Sequence, residues 1–170
     1  ASLFNNRAIS YRQSLDIDFS EIGISVCIQK MVRSDLGASG VAFSLATESG
    51  FKDVILINGA YGLGESIVQG SVSTDEFLVY KPLLKKGYPA IIEKKIAKKE
   101  RQLVYSKDKT KTLAEVEVPK NKQTQFCLLD NQVLQLSKWI CLIEEYYSDF
   151  YDKWCPMDIE WALDGITNHY

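Results

Sequence analysis

Two carboxylates near the end of the chain, Asp158 and Glu160, have the residue types and spacing that could do chemistry. They lie in the stretch 155–165, which alternates between large apolar and polar side chains. Because side chains alternate between the two faces of a strand, both carboxylates should share one face. The opposite face would carry the apolar set Met157, Ile159, Trp161 and Leu163. Mg²⁺ binds oxygen ligands, commonly one or two carboxylates plus phosphate oxygens, so the stretch predicts either a magnesium site or an amphipathic strand whose acidic face lies in water.

The sequence lacks the residues that other common kinds of catalytic site require. His169 is the only histidine and stands next to the end, so neither a Ser-His-Asp nor a Cys-His constellation can form elsewhere, and we interpret it as an exposed turn residue. The cysteines lack the CxxC spacing of a zinc site, which favours buried, reduced thiols. They are Cys27, Cys127, Cys141 and Cys155. The pair of carboxylates could also serve a glycosidase, but nothing else indicates a sugar substrate.

The composition predicts a globular domain without a nucleic-acid or membrane partner. The 170 residues are 46% hydrophobic and 25% charged, with a net charge of −2. No apolar run is long enough to span a bilayer, and the first residues lack the apolar core of a secretion signal, so a cytoplasmic location is the default. The sequence does not begin with Met, and its last residues follow the turn Asp164-Gly165, which should lead into a partner strand. We therefore expect a piece of a longer enzyme.

The elements expected from periodicity and turn residues give an α+β fold, an antiparallel sheet with flanking helices. A first helix would be capped by Ser2 and a long one by Asp130. The expected strands are 24–32, 41–46, 54–58, 75–80, 103–106, 113–118 and 157–163. Residues 81–119 should form a peripheral β excursion.

Two further segments leave a ligand-binding and a structural interpretation open. Three glycines in the stretch 59–70 have the spacing GxxGxG, which allows close backbone approach but is neither a Rossmann nor a Walker motif. This stretch is either a ligand loop or a structural turn. Six lysines between positions 85 and 99 form either a phosphate-binding patch or, as the interleaved apolar residues favour, the solvated surface of a hairpin. They are Lys85, Lys86, Lys94, Lys95, Lys98 and Lys99.

Several motifs, in this order, resemble the nucleotide-binding domain of the phosphoenolpyruvate synthase (pyruvate, water dikinase) family. They are Ala1-Ser2-Leu3-Phe4, Arg7-Ala8-Ile9-Ser10-Tyr11-Arg12, Gln29-Lys30-Met31-Val32-Arg33-Ser34-Asp35, Ser39-Gly40-Val41, Thr47-Glu48-Ser49-Gly50-Phe51, Gly62-Leu63-Gly64-Glu65, Val68-Gln69-Gly70, Asp75-Glu76-Phe77 and Pro156-Met157-Asp158-Ile159-Glu160-Trp161. The resemblance covers most of the chain and is weakest over 85–131. It implies that residues 1–170 are part of an ATP-grasp domain that binds ATP between two α+β subdomains.

The resemblance also implies an activity and its partners. The family converts ATP, pyruvate and water to phosphoenolpyruvate, AMP and phosphate, using Mg²⁺. A histidine on a separate phosphohistidine domain carries the phosphoryl group to a barrel domain that binds pyruvate. Neither domain lies in this sequence, and His169 is not in a carrier motif.

Individual site residues follow from the same resemblance. Gln29, Lys30, Met31 and Val32 match the family's hinge strand beside adenine, with backbone groups of Lys30 and Val32 reading the adenine edge and Gln29 adding a side-chain contact. The alternative for this segment is a plain core strand. Gln29 and the metal-binding Glu160 should open onto one cleft.

The metal site would be built mainly by Glu160, which matches the family's Mg²⁺-binding glutamate. Asp158 would support it indirectly or serve the structure, and Glu65 in the glycine loop is a candidate nucleotide contact without an assigned partner. The family's phosphate-gripping lysine and arginines would precede Ala1, and its Gln-x-Arg-Pro motif would follow Tyr170. We therefore expect the chain alone to be inactive, and find no catalytic residue within it.

Two other functions fit these residues. A related ATP-grasp phosphotransferase could act on another acceptor, such as an antibiotic or a glucan, because the acceptor is chosen by other domains. A non-catalytic binding module could use the lysine cluster as its contact surface. A nucleotide titration separates the second case, since a module without an ATP site should ignore ATP and Mg²⁺.

Overall fold

The structure is a computed structural model that describes residues 2–17, 23–108 and 110–170. It divides into two compact units, Ala1–Met31 and Val32–Tyr170. No helix among the described residues is long and apolar enough to cross a membrane.

The first unit contains a short 3-10 helix, Ser2–Phe4, followed by helix α1, Asn6–Ser14. The expected helix is therefore present, but Asn5 rather than Ser2 caps α1. The Asn5 side chain accepts a hydrogen bond from the Ala8 amide at 2.8 Å, because the 3-10 turn places Asn5 at the first position with an extended backbone.

The expected strand over residues 24–32 is wrong. Residues 23–33 form no helix or strand in the described part of the chain, and the apolar members of the segment are exposed except for the half-buried Val32. Val26 is 80% and Ile28 94% exposed. The alternation shows only that the segment has β propensity, whereas a strand also needs a neighbour to pair with.

The second unit is built on a five-stranded, wholly antiparallel sheet. Its strands are β1 (Ala38–Phe43), β2 (Val54–Tyr61), β3 (Asp75–Tyr80), β4 (Ile91–Lys95) and β7 (Asp158–Leu163), in the order β4-β3-β2-β1-β7. Strands β5 (Arg101–Tyr105) and β6 (Leu113–Glu117) form a separate hairpin. The helices are α2 (Glu65–Val68), α3 (Lys81–Lys85), α4 (Lys120–Gln123) and α5 (Asp130–Phe150), and a 3-10 turn covers Ser34–Leu36. Within 81–119, which we expected to be peripheral, β4 is thus an edge strand of the main sheet.

One face of the sheet packs against α5. The helix begins at Asp130, and Leu129 rather than Asp130 is the capping position, where the Leu129 amide donates to the Gln132 side chain at 2.8 Å. The core joins buried residues of the helix and of four strands. They include Val133, Leu136 and Ile140 of α5 and Ile55, Ile57, Phe77, Val79, Trp161 and Leu163 of the sheet. This packing fixes which way the alternate residues of β7 point.

Strand β7 has the two faces that its sequence predicted. Trp161 and Leu163 are buried in the core, and Ile159 packs against it, whereas Asp158 and Glu160 are exposed on the opposite face. Strand β7 pairs with β1, with Glu160 opposite Val41.

Most lysines of the cluster form ion pairs with carboxylates. Lys85, Lys94, Lys95 and Lys98 pair with carboxylates at 2.6–2.9 Å. The expectation of a solvated surface is wrong for Lys99, which is fully buried against Asp75, because a partner carboxylate from β3 compensates for removing its charge from water.

Candidate functional site

A cleft of about 440 Å³ lies on the second unit, on the sheet face that α5 does not cover. Strands β1 and β7, helix α2 and the 3-10 turn each contribute to its walls. Its lining residues are Ser34, Ser39, Gly40, Gly64, Glu65, Val68, Gln69, Glu160, Trp161 and Ala162. The fold therefore brings Glu65 and Glu160, both expected from the sequence, to the same cavity.

The Trp161 indole fixes the strand that carries Glu160. It lies across Gly40 and Gly59, where an added Cβ would come within 2.6 Å of the ring. Its Nε1 donates to the Val41 carbonyl at 3.3 Å. Because Trp161 is held in the core, its neighbour Glu160 must point away from the core and toward the cleft.

The glycine loop is held to the sheet beside the cleft. The buried Ser39 hydroxyl donates to the Gly62 carbonyl at 2.7 Å, and the Leu63 amide donates to the Leu103 carbonyl at 2.9 Å. Gly62 has φ +92°, and a Cβ there would lie 2.6 Å from the Leu103 carbonyl oxygen, so only glycine fits. The loop then leads into α2, whose first residue is Glu65.

The cleft carries exposed negative charge. Glu65 accepts a hydrogen bond from Gln69 at 3.2 Å. Among the residues that the structure describes, no salt bridge neutralises Glu65, Asp158 or Glu160. Like charges gathered in a cleft attract a cation.

The residues present fit a Mg²⁺ ion that is shared with a phosphate. No group of three or more potential metal-binding side chains lies together within the described ranges, so the fold offers no all-protein cage. Mg²⁺ commonly uses only one or two carboxylates and completes its shell with water and substrate phosphates. Glu160 is exposed in the cleft and suits that role, whereas Asp158 is exposed on the same face of β7 but does not line the cavity.

Three charged residues, Arg33, Asp35 and Asp164, form a cluster at the end of β7. The Arg33 guanidinium binds Asp35 in two hydrogen bonds of 2.8 and 2.9 Å, which hold the pKa of that carboxyl below its usual value. Asp164 accepts from the amides of Arg33, Ile166 and Thr167 at 2.8–3.1 Å, and these bonds lower its pKa to about 2. The Gly165 amide donates in turn to the Arg33 carbonyl. The backbone that follows Val32 is thus anchored to the end of the strand that carries Glu160.

The expected adenine-binding residues fall on both sides of the chain position that separates the two units. Gln29, Lys30 and Met31 are exposed and belong to the first unit, whereas the half-buried Val32 begins the second. We still predict that these residues read adenine. We also still predict that Gln29 shares a cleft with Glu160.

Sequence reasoning missed the two serines of the cleft and the cluster at the end of β7. Ser34 and Ser39 stand inside motifs of the resemblance but were given no role there. Ser39, next to Gly40, reads as a loop residue. Asp164 could have been found, since an aspartate that starts an Asp-Gly turn commonly accepts from nearby backbone amides. The four cysteines are free, as expected. The expectation that they are buried is confirmed for Cys127 and Cys141 and is wrong for the exposed Cys27, whereas Cys155 is half-buried.

Comparison with known proteins places the chain in a family. Residues 1–169 match the family described as pyruvate phosphate dikinase, AMP/ATP-binding domain. The chain is 56% identical to the phosphoenolpyruvate synthase of Aquifex aeolicus, 49% to that of Synechocystis and 44% to that of Escherichia coli. These matches cover 98–99% of the chain but only 20–21% of each relative, so the chain spans about a fifth of their length. The chain belongs to the pyruvate phosphate dikinase AMP/ATP-binding domain family.

Proposed function

We propose that this chain is the ATP-binding part of a phosphoenolpyruvate synthase, which forms phosphoenolpyruvate, AMP and phosphate from ATP, pyruvate and water through a phosphohistidine carrier. Identities of 44–56% over nearly the whole chain to proteins of that name support this function. Pyruvate and the carrier histidine would be handled by other domains, in keeping with the one-fifth share of the relatives that this chain matches. By itself the chain binds nucleotide and forms no phosphoenolpyruvate.

The observation that carries the proposal is the meeting of Glu65 and Glu160 in one cleft. The two residues come from separate motifs of the sequence, the glycine loop and the last strand, and both line the same 440 Å³ cavity. A cavity with one carboxylate on its strand wall, and a second on the wall formed by a glycine loop and α2, can hold a nucleotide phosphate chain together with its metal. We assign the fold to the ATP-grasp type on the same grounds, supported by the antiparallel sheet that forms the floor of the cleft.

Glu160 would hold Mg²⁺ together with the ATP phosphates. A bound Mg²⁺ neutralises charge on the phosphate oxygens and orients them for transfer. Asp158 lies two residues earlier on the same strand face and outside the cavity lining, so it would act on the cation through the field of its charge. Glu65 would contact the nucleotide or its hydration shell.

The adenine would be bound by residues 29–32. Gln29, Lys30 and Met31 are exposed, so they are accessible to a ligand. Adenine offers an adjacent donor and acceptor, which a run of main-chain amide and carbonyl groups can match. Backbone groups of Lys30 and Val32 would read that edge, and the Gln29 side chain would add a contact.

The test is a titration of the chain with ATP in the presence of Mg²⁺, followed by intrinsic fluorescence. Trp161 directly follows Glu160 in β7, so its indole, although buried on the opposite face of the sheet, lies beside the site and its emission is followed as a reporter of binding. The same titration of Trp161→Phe shows whether the signal comes from this indole, and calorimetry measures binding independently of it. Saturable binding that requires Mg²⁺ supports the proposal. A chain that ignores both ATP and Mg²⁺ in calorimetry would be a non-catalytic binding module.

A further inference from the structure

We propose that Lys81 and Glu144 are positioning residues for the carboxylates of β7, an inference that rests on the proposed metal role of Glu160. Neither residue lies in the cleft. They act through a chain of buried and partly buried hydrogen bonds that ends at the residue before Asp158. The chain sets where β7 enters the sheet and therefore where its carboxylates are presented.

The first link is a buried ion pair that joins three elements. Lys81 Nζ, at the start of α3, donates to Glu144 Oε2 of α5 at 2.6 Å and to the Ser44 carbonyl at 2.6 Å. The exposed fractions of the two charged side chains are 8% and 11%. The other carboxylate oxygen of Glu144 accepts from Trp154 Nε1 at 3.0 Å. Both partners therefore have defined positions.

The second link joins Ser44 to the start of β7. The Ser44 amide donates to the Met157 carbonyl at 3.0 Å, and the Met157 amide donates to Ser44 Oγ at 2.8 Å. Met157 directly precedes Asp158, and Ser44 directly follows Phe43, which is the register partner of Asp158. This double contact therefore fixes the first rung of the ladder between β1 and β7.

That rung matters because a strand has a period of two. A slip of one residue would turn Asp158 and Glu160 to the opposite face of the sheet. A buried ion pair is a poor source of net stability, since desolvation offsets its attraction, but it is directional and can select one arrangement. The position of this pair, one contact away from the first rung of β7, suits such a role.

The neighbouring pair of Lys85 and Glu145 provides a matched control. It joins the same two helices at the same distance of 2.6 Å, but its side chains are 59% and 51% exposed. Its side chains make no hydrogen bond to Ser44 or Met157 among the described residues. A variant of this pair removes an equal number of charges without touching the chain of contacts.

The experiment compares the double variants Lys81→Met/Glu144→Leu and Lys85→Met/Glu145→Leu with the unchanged chain. Removing both partners leaves no stranded buried charge, and thermal melting verifies folding. Hydrogen exchange of the backbone at 157–163 measures how firmly β7 is held, without any ligand. Electron paramagnetic resonance measures Mn²⁺ affinity in the presence of ATP. Ser44→Ala is a further variant, which removes only the oxygen that accepts from the Met157 amide.

The buried-pair variant should exchange faster at the start of β7 and lose Mn²⁺ affinity by up to about tenfold, because the pair acts on Glu160 only through β7, whereas losing a group bonded directly to a metal ligand costs about 10–100-fold. Ser44→Ala should shift both readouts in the same direction, and the exposed-pair control should shift neither. A folded buried-pair variant with unchanged exchange and unchanged Mn²⁺ affinity would overturn the inference while leaving the proposed function intact. If the unchanged chain binds no Mn²⁺ with ATP, the proposed function fails and this inference fails with it.

Discussion

Replacing Gly40 by alanine should damage the packing that aims Glu160 at the cleft. A Cβ at position 40 would lie 1.9 Å from the Asn58 carbonyl oxygen and 2.6–2.7 Å from the Trp161 ring. The first obstacle is main chain of the neighbouring strand, and the second is a side chain that is only 7% exposed. Neither can move without disturbing the ladder or the core.

The expected cost follows from this overpacking. Inserting a methyl group into a well-packed site typically costs about 1–3 kcal/mol, and the 1.9 Å contact with backbone places Gly40→Ala at or above the upper end of that range. Urea unfolding followed by circular dichroism at equilibrium gives the free energy of unfolding of the variant and of the unchanged chain. Near-ultraviolet circular dichroism should also change, because the Trp161 ring must shift.

Gly64→Ala is the matched control within the same cleft. Its Cβ would lie 3.6 Å from Ser39 Oγ, an ordinary contact, and residue 64 has φ −66° and ψ −18°, which alanine adopts readily. This change should be neutral or should stabilise the chain by up to about 1 kcal/mol, through the entropy of the unfolded state. If Gly40→Ala unfolds at the same urea concentration as Gly64→Ala, the tight packing of Trp161 on β1 is refuted.

Two further predictions concern charged groups outside the cleft. Lys99→Met leaves Asp75 buried without its cation and should lower the free energy of unfolding by about 3–5 kcal/mol. Lys98→Met removes an exposed pair and should leave the free energy of unfolding nearly unchanged. Equal losses for the two variants in urea unfolding would contradict the burial of Lys99. The pKa of Asp164 is lowered from 3.8 to about 2 in the folded chain, so its contribution to stability is present above pH 4 and is lost as the pH falls toward 2. Asp164→Asn should remove this loss of stability between pH 4 and pH 2. If the variant and the unchanged chain lose stability equally over that range, the hydrogen bonds from the three backbone amides to Asp164 are refuted.

Secondary structure could be predicted from the sequence where the local pattern and the tertiary environment favour the same element. Strand β3 was predicted with the bounds that the structure shows, and the two faces of β7 followed from strict alternation. Strand β1 was placed three residues late, since Ala38-Ser39-Gly40 reads as a small-residue loop. Those small residues are needed there because the Trp161 ring packs on Gly40.

The failures concern partners that are distant in sequence. Residues 24–32 have the composition of a strand but form none among the described residues. A strand forms only where a neighbouring strand supplies hydrogen-bond partners, and β propensity alone does not provide them. Lys99 belongs to a run of lysines that indicates solvent, yet Asp75 of β3 makes its burial possible. The meeting of Glu65 and Glu160 likewise depends on the order of the strands, which no motif contains.

Mn²⁺ binding by Glu160→Gln in the presence of ATP tests the central claim most directly. Glutamine nearly keeps the shape of the side chain but removes its charge, and the apolar face of β7 is untouched, so the variant should fold. Glu117→Gln, which changes an exposed carboxylate on the separate hairpin, is the control. We expect the unchanged chain and the control to bind Mn²⁺ with ATP alike. Glu160→Gln should lose metal affinity by about tenfold or more, since losing even a group that only supports a metal ligand typically costs about 10–100-fold. Equal Mn²⁺ affinity for Glu160→Gln and the unchanged chain would contradict the account and return β7 to an ordinary strand with a solvated acidic face.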